Sequence, residues 1–272
     1  MKLGLWLGLQ YRRRGVGVQF PDTIVDPIER AIVIAYGLSE ATYLATGVSS
    51  VIHAWWRAGE GITLTSGRIS QWNDKSGNAQ HVIQGTAANR PIEGTLNGHP
   101  TIHFEGTRWL EESATAAQFI LDHNCALYVV FRGLNAEASQ GVIQEGRIGA
   151  QEGHRIVIVC DTRNTIFAHT LYIPAGVSAV TLNFAGEQSA NIDRLFTYHR
   201  TGTTISGYAE GTLIDSDVTT TLYGGNVKFT IGRQVIGSLN LTGHVYEIIV
   251  AKATTSTLAR QTVEAALTTK FL

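Results

Sequence analysis

The sequence predicts an all-β protein built as a two-sheet antiparallel sandwich. Twenty-nine glycines against a single methionine suit a chain of short strands joined by frequent turns. With 272 residues, 44% hydrophobic and 16% charged, the chain can bury the core of one large domain. Short strand-like segments follow one another without helical periodicity between them, which favours a sandwich over alternating strands and helices.

The predicted strands are separated by turns rich in Gly, Asn, Asp and Ser. They span residues 51–56, 68–72, 81–84, 101–104, 126–131, 141–145, 155–160, 165–171, 179–183, 194–200, 203–210, 228–232 and 243–251. We place the main domain at 51–272 and an N-terminal arm or anchoring segment at 1–50.

The N-terminal arm begins with a Gly- and Leu-rich stretch that carries basic but no acidic side chains up to residue 20. Such a segment cannot bury enough apolar surface to order alone, so we expect it either to dock on a partner or to remain a solvated tail. The apolar run is short for a signal peptide, and arginines stand where a cleavage site should follow. The predicted docking residues are Leu3, Leu5, Trp6, Leu7, Leu9, Arg12, Arg13 and Arg14.

Two helices are predicted, one before the sandwich and one at the end of the chain. Asp26 and Pro27 suit the N-cap and first residue of a short helix. Hydroxyl side chains at 254–256 can cap a longer one, whose single apolar stripe should pack on the sandwich. The expected apolar faces are Ile28, Ile32, Ala35 and Tyr36 in the first helix, and Ala259, Val263, Ala266, Leu267 and Phe271 in the second.

A polar turn after Trp72 carries the clearest local pattern in the sequence. Asp74, Ser76 and Asn78 are residue types that bond their own backbone or tolerate positive φ. Asp74 is therefore expected to form an Asx turn that holds two strands in register. Trp72 and Phe104, on the flanking strands, are expected in the core.

Two stretches around this turn resemble the opening of concanavalin A-like, laminin-G-like jelly-roll domains found in phage virion proteins and bacterial surface proteins. They are QWNDKSGNAQH from residue 71 and LNGHPTIHFEG from residue 96. The closing strand GHVYEIIVAKA and helix LARQTVEAALTTKF are similar to the way such domains end. The resemblance covers roughly residues 51–272, and implies a concanavalin A-like jelly roll with a C-terminal helix and an N-terminal extension.

Several functional classes are disfavoured by the sequence. A net charge of −1 gives no field to attract nucleic acid, and no apolar run is long enough to span a membrane. The chain lacks the Glu-x-Asp-x-Glu triplet of concanavalin A-like glycosidases and the G-x-S-x-G and H-E-x-x-H motifs, so we expect no enzymatic activity. We also expect no cofactor. Loop-bound calcium at Asp74, or at Asp215 and Asp217 in a predicted polar turn, is the alternative.

Tryptophans and cysteines complete the set of candidate residues. Adjacent Trp55 and Trp56 should face opposite ways, one into the core and the other near the surface or beneath the N-terminal segment. Trp109 lies in a predicted loop and is the candidate for an exposed ring that stacks on a glycan. Cys125 and Cys160 lie in apolar surroundings typical of buried thiols, and a disulfide between them is an open alternative.

Two functions follow as hypotheses. The first is a non-enzymatic phage virion structural protein, a capsid decoration or tail component assembled in the host cytoplasm. Its arm would contact other virion proteins, it would form a homo-oligomer, and its jelly roll could attach to host-surface glycans. The alternative is a carbohydrate-binding module of a bacterial surface or secreted protein.

Overall fold

Two antiparallel β-sheets and three α-helices make up the described part of the protein. The computed structural model describes residues 24–113, 124–134, 140–147, 155–160, 166–170, 180–184, 191–218, 227–233, 240–252 and 256–272. The predicted all-β sandwich with a C-terminal helix is confirmed. No helix in these ranges is long and apolar enough to cross a membrane.

The helices are α1 (Pro27–Ala35), α2 (Glu40–Thr46) and α3 (Thr257–Phe271). The strands are β1 (Ile52–Arg57), β2 (Ile62–Thr65), β3 (Arg68–Trp72), β4 (Val82–Ile83), β5 (Ile92–Leu96), β6 (His99–Glu105), β7 (Leu110–Glu112), β8 (Cys125–Gly133), β9 (Gln140–Arg147), β10 (Arg155–Cys160), β11 (Ile166–Thr170), β12 (Val180–Phe184), β13 (Arg194–Thr201), β14 (Thr204–Ala209), β15 (Thr212–Val218), β16 (Val227–Ile231) and β17 (Thr242–Lys252).

Sheet I runs in the order β15-β14-β13-β8-β17-β6-β5, and sheet II in the order β12-β11-β10-β9-β16-β7-β4-β3-β2. The long strand β17 organises sheet I. It pairs with β8 on one side, and on the other side first with β6 and then with β1. A register shift between Val245 and Glu247 marks a β-bulge in β17.

The core between the two sheets is filled by large apolar side chains. Trp56, Trp72 and Phe104 are fully buried there, and the Trp56 ring stacks on Phe229 with the centroids 5.1 Å apart. The expected core positions of Trp72 and Phe104 are confirmed. Cys125 lies in the same core, as its apolar surroundings predicted, and burial raises the pKa of its thiol. The side chain of Cys160 lies outside the described residues.

A second core covers the outer face of sheet I, where α1 and α3 pack. Trp55, Ile28 and Val263 belong to this cluster, so the protein has three layers: helices, sheet I and sheet II. Trp55 and Trp56 do face opposite ways, and Trp55 lies beneath the N-terminal segment, completely buried. Residues 24–50 thus share a hydrophobic cluster with the sandwich, while the domain boundary near residue 50 stays a prediction.

Both predicted helices form, with the expected caps. The Asp26 carboxylate accepts from the backbone N–H groups of Ile28 and Glu29, each at 2.9 Å, and Ser256 accepts from Ala259 at the start of α3. The expected α3 stripe is buried apart from half-buried Ala266. Helix α2 was not predicted.

Four strands were also missed by the sequence prediction: β2, β5, β7 and β15. The last of these corrects a specific expectation. Asp215 and Asp217 do not lie in a polar turn but within β15, where they pair with Gly207 and Ile205 of β14. Polar and apolar residues are nearly all exposed on this edge strand, so its sequence carries no alternation that could reveal it.

Candidate functional site

An open cleft of about 700 Å³ lies on the outer face of sheet I, where α3 ends and the sheet is no longer covered. Side chains from five parts of the chain line it: the β5–β6 turn with the start of β6, the end of β8, the segment leading into β13, the β14–β15 turn and the last turn of α3. The lining residues that carry the argument are Asn97, His99, Arg132, Asp193, Lys270 and Phe271.

Asp193 is the centre of a hydrogen-bond network at this cleft. Its Oδ1 accepts from Arg132 Nε at 2.8 Å and from the Tyr246 hydroxyl, and its Oδ2 accepts from Arg132 Nη2 at 2.6 Å and from Asn97 Nδ2 at 2.7 Å. Four donors saturate a carboxylate whose side chain is only 7% exposed. We call Asp193, Arg132, Asn97 and Tyr246 the Asp193 cluster.

The local backbone explains how these four side chains converge. Asn97 and Gly98 have φ values of 52° and 80° and form the two-residue turn between β5 and β6, a conformation that Asn-Gly favours. Arg132 points outward because strand alternation sends Phe131 into the inter-sheet core. The bulge in β17 places Tyr246 on the outer face.

The network also determines the protonation of its members. The hydrogen bond to the Asp193 carboxylate raises the pKa of Arg132, so its guanidinium stays charged. Burial, together with the bond to the same carboxylate, raises the pKa of Tyr246 and keeps its hydroxyl a donor. The cluster is therefore a rigid array of oriented donors around one anion.

Each cation on the cleft faces a carboxylate. Arg132 is paired with Asp193, Arg194 Nη1 lies 3.4 Å from Glu210, and Lys270 Nζ lies 3.6 Å from Glu247. Buried Glu247 also accepts from Trp55 Nε1 and from Arg57. Every lysine and arginine that lines the cleft therefore has a carboxylate within 3.6 Å, although Lys270 shares Glu247 with Arg57.

A stacked histidine pair lies next to the Asp193 cluster. His103 on β6 pairs directly with His244 on β17, which in turn lies opposite Arg132 on β8. The two rings are 4.4 Å apart and nearly parallel, and Thr101 Oγ1 lies 3.0 Å from His244 Nδ1. Burial lowers the pKa of His244 to about 4, and the nearby charges of His103 and Arg132 add to this effect. His244 is therefore neutral near pH 7.

The predicted docking residues of the arm, Leu3 to Arg14, lie outside the described residues. Trp109 is half-buried and does not line the cleft; Arg233 Cζ lies 4.2 Å from its ring centroid, over one face of the indole. Glycan contact by Trp109 stays a prediction.

Asp74 is used in the turn, as predicted. Its Oδ1 accepts from the N–H groups of Trp55 and Ser76, each at 2.8 Å, and its Oδ2 accepts from the Ser76 hydroxyl and the Gln80 N–H. The bond to Ser76 N–H closes the Asx turn, and the bond to Trp55 ties this turn to β1. Among the residues that the structure describes, no group of three His, Cys, Asp or Glu side chains could hold a metal ion.

Sequence reasoning missed the Asp193 cluster. One signal was available, because Asn97-Gly98 between two alternating segments is a strong hairpin pattern. Nothing local marks the pairing of Arg132 with Asp193, which are 61 positions apart.

Comparison with known proteins supports the fold. No protein-family model and no curated protein sequence matches the chain. A solved structure that resembles it is domain 4 of AbnA, a GH43 extracellular arabinanase from Geobacillus stearothermophilus, in complex with arabinotriose. The TM-score is 0.58 at 9% identity, covering 79% of this chain and 97% of that domain.

Two binding domains of other proteins are similar to the same degree. The binding domain of Paraclostridial Mosquitocidal Protein 1 has a TM-score of 0.58 at 13% identity, over 82% of this chain and 53% of that one. The ligand-binding domain of botulinum neurotoxin serotype D, in complex with N-acetylneuraminic acid, has a TM-score of 0.57 at 10% identity, over 80% and 51%. The chain thus spans about half the length of these two domains. At such identities the likeness shows a shared β-sandwich fold.

Proposed function

We propose that this protein is a non-catalytic carbohydrate-binding β-sandwich whose ligand occupies the cleft beside the Asp193 cluster. The observation that carries the proposal is the cleft itself, where a saturated carboxylate holds an arginine and an asparagine rigidly beside a partly exposed ring, His99. Preoriented planar donors and acceptors next to a ring face match the hydroxyl groups and apolar faces of a sugar.

The solved structures add support from the same fold. One similar domain is in complex with arabinotriose and another with N-acetylneuraminic acid. The AbnA domain is matched over 97% of its length, so its complex with arabinotriose is that of a domain with this fold, and the proposal extends that use to this chain.

The non-catalytic part of the proposal rests on the state of the carboxylates. Asp193 has donors on all its acceptor positions, so it cannot act as a nucleophile or general base without losing the cluster. The other cleft carboxylate, Glu210, faces Arg194. Incubating the protein with any glycan it binds and analysing the products tests this point; cleaved glycan would contradict it.

Binding is tested on a glycan array with the full chain, His99→Ala and Thr63→Ala. His99 lines the cleft and meets Phe271 edge-on at 5.2 Å, while Thr63 is an exposed residue of β2 in the opposite sheet. We expect the full chain and Thr63→Ala to bind the same glycans and His99→Ala to bind them at least tenfold more weakly. Absence of binding, or equal binding by all three proteins, would refute the assignment.

The virion role implied by the sequence resemblance is a second proposal. Two apolar side chains near the start of the described chain could contact another virion protein, since Val25 is 91% exposed and Leu44 is 70% exposed. If residues 1–20 anchor the protein to other virion proteins, a chain without them should fail to join particles. Normal incorporation of that shortened chain would exclude the anchoring role.

A further inference from the structure

Two side chains that line the cleft each keep one unused hydrogen-bonding group. Arg132 donates to Asp193 through Nε and Nη2, and Asn97 donates to the same carboxylate through Nδ2. Among the described residues, Arg132 Nη1 and Asn97 Oδ1 have no hydrogen-bond partner. One is an obligate donor and the other an obligate acceptor.

The shared carboxylate brings these two side chains together. Arg132 Nη2 lies 2.6 Å and Asn97 Nδ2 lies 2.7 Å from the same oxygen, so these two nitrogens are no more than 5.3 Å apart, the sum of the two distances. The free Nη1 belongs to the same guanidinium and the free Oδ1 to the same amide, and both side chains line the cleft. Sugar hydroxyl groups both donate and accept, so they offer the complementary partner for each free atom.

Charge decides between neutral and acidic sugars. Hydrogen bonds between a cation and a carboxylate are the strong ones, so a cation without a counter-ion would favour an acidic ligand. Arg132, Arg194 and Lys270 already have Asp193, Glu210 and Glu247 as partners. An acidic sugar would have to compete with these carboxylates, whereas a neutral sugar would leave the three ion pairs in place.

We infer that the cleft selects a neutral sugar residue through two hydroxyl groups, one accepting from Arg132 Nη1 and the other donating to Asn97 Oδ1. This inference rests on the proposed function and adds the ligand class and the two contacting atoms. His99 and Phe271, whose rings meet edge-on, provide the apolar wall of the cleft beside this pair.

The test uses the full chain on an array of paired glycans that differ only in a terminal sialic acid, followed by titration of the best neutral glycan. We expect binding to the neutral members, with a Kd that changes less than twofold between 0.05 and 0.5 M salt, because no charge pair forms on binding. Binding confined to sialylated members would overturn the neutral-sugar inference and leave carbohydrate binding intact. Binding to neither kind would refute the proposed function as well.

Two variants of one residue test the contacting atoms. Asn97→Gly removes the amide and accepts the positive φ of 52°, while Asn97→Asp keeps the shape but sets a second carboxylate against Asp193. Both should weaken the Kd for the neutral glycan at least tenfold, with Thr63→Ala unchanged. Thermal unfolding confirms that the variants are folded. A folded Asn97→Gly with unchanged affinity would overturn the assignment of this contact.

Discussion

Replacing Asp193 by asparagine should destabilise the protein more than the same change at Glu210, the other carboxylate that lines the cleft. The new side chain has the same shape but carries no charge and replaces one acceptor oxygen by a donor. Arg132, Asn97 and Tyr246 together direct four donors at this residue. At least one donor would then face another donor, and the arginine would lose its counter-ion.

The magnitude follows from burial. Removing one partner of a fully buried ion pair costs about 3–5 kcal/mol, and an exposed pair is worth at most about 1 kcal/mol. The side chains of Asp193 and Arg132 are 7% and 15% exposed, close to the buried limit but with some access to water. We therefore expect Asp193→Asn to lower the free energy of unfolding by about 2–4 kcal/mol.

Urea unfolding followed by tryptophan fluorescence measures this difference. Glu210→Gln is the matched control, because Glu210 faces Arg194 at 3.4 Å across the same cleft but is itself 36% exposed. The control should change the free energy of unfolding by less than about 0.5 kcal/mol. If Asp193→Asn lowered the free energy of unfolding no more than Glu210→Gln does, the four hydrogen bonds to Asp193 would not stabilise the fold as proposed.

Three other predictions concern stability. A Cβ on Gly232, which has a φ of +82°, would lie 2.3 Å from the buried Phe104 ring, so Gly232→Ala should lower the free energy of unfolding by about 2–4 kcal/mol. Gly67 has a similar φ but open space around it, so Gly67→Ala should lower it by only about 1 kcal/mol. Equal denaturant midpoints for the two variants would contradict the clash. Neutral His244 stabilises the fold fully above its ordinary pKa of 6.5, and this contribution is lost as the pH falls towards 4. Unfolding free energies measured from pH 7 to 4 should therefore fall by about 1–3 kcal/mol more in the wild type than in His244→Gln, and identical pH profiles would exclude the effect. Asp26→Ala removes a helix cap and the partner of a buried guanidinium, so it should lower the unfolding free energy by about 2–4 kcal/mol, whereas a loss below 0.5 kcal/mol would show that neither contact matters.

Local patterns predicted the fold because each depends on neighbours in sequence. Strand alternation placed Trp72 and Phe104 in the core and separated Trp55 from Trp56. Asp26 and the hydroxyl side chains before α3 predicted where α1 and α3 begin. The exposed strand β15 has no alternation of polar and apolar residues, so the sequence did not predict it.

The cleft could not be predicted in this way. Its arginine, aspartate and asparagine come from β8, the start of β13 and the β5–β6 turn, and they meet only because sheet I places these strands within reach of each other. The bulge in β17 places Tyr246 on the outer face, and the end of α3 brings Lys270 and Phe271 to the cleft.

The sequence by itself determined the class of fold, the positions of most strands, the two main helices and the turn around Asp74. These follow from periodicity and backbone preference, which act over a few residues. Only the tertiary structure decided which part of the outer face of sheet I the helices leave uncovered and which polar groups converge there. Those outcomes depend on strand order and on packing between distant segments. The contacts that stabilise this packing join residues far apart in the sequence, so no local pattern contains them.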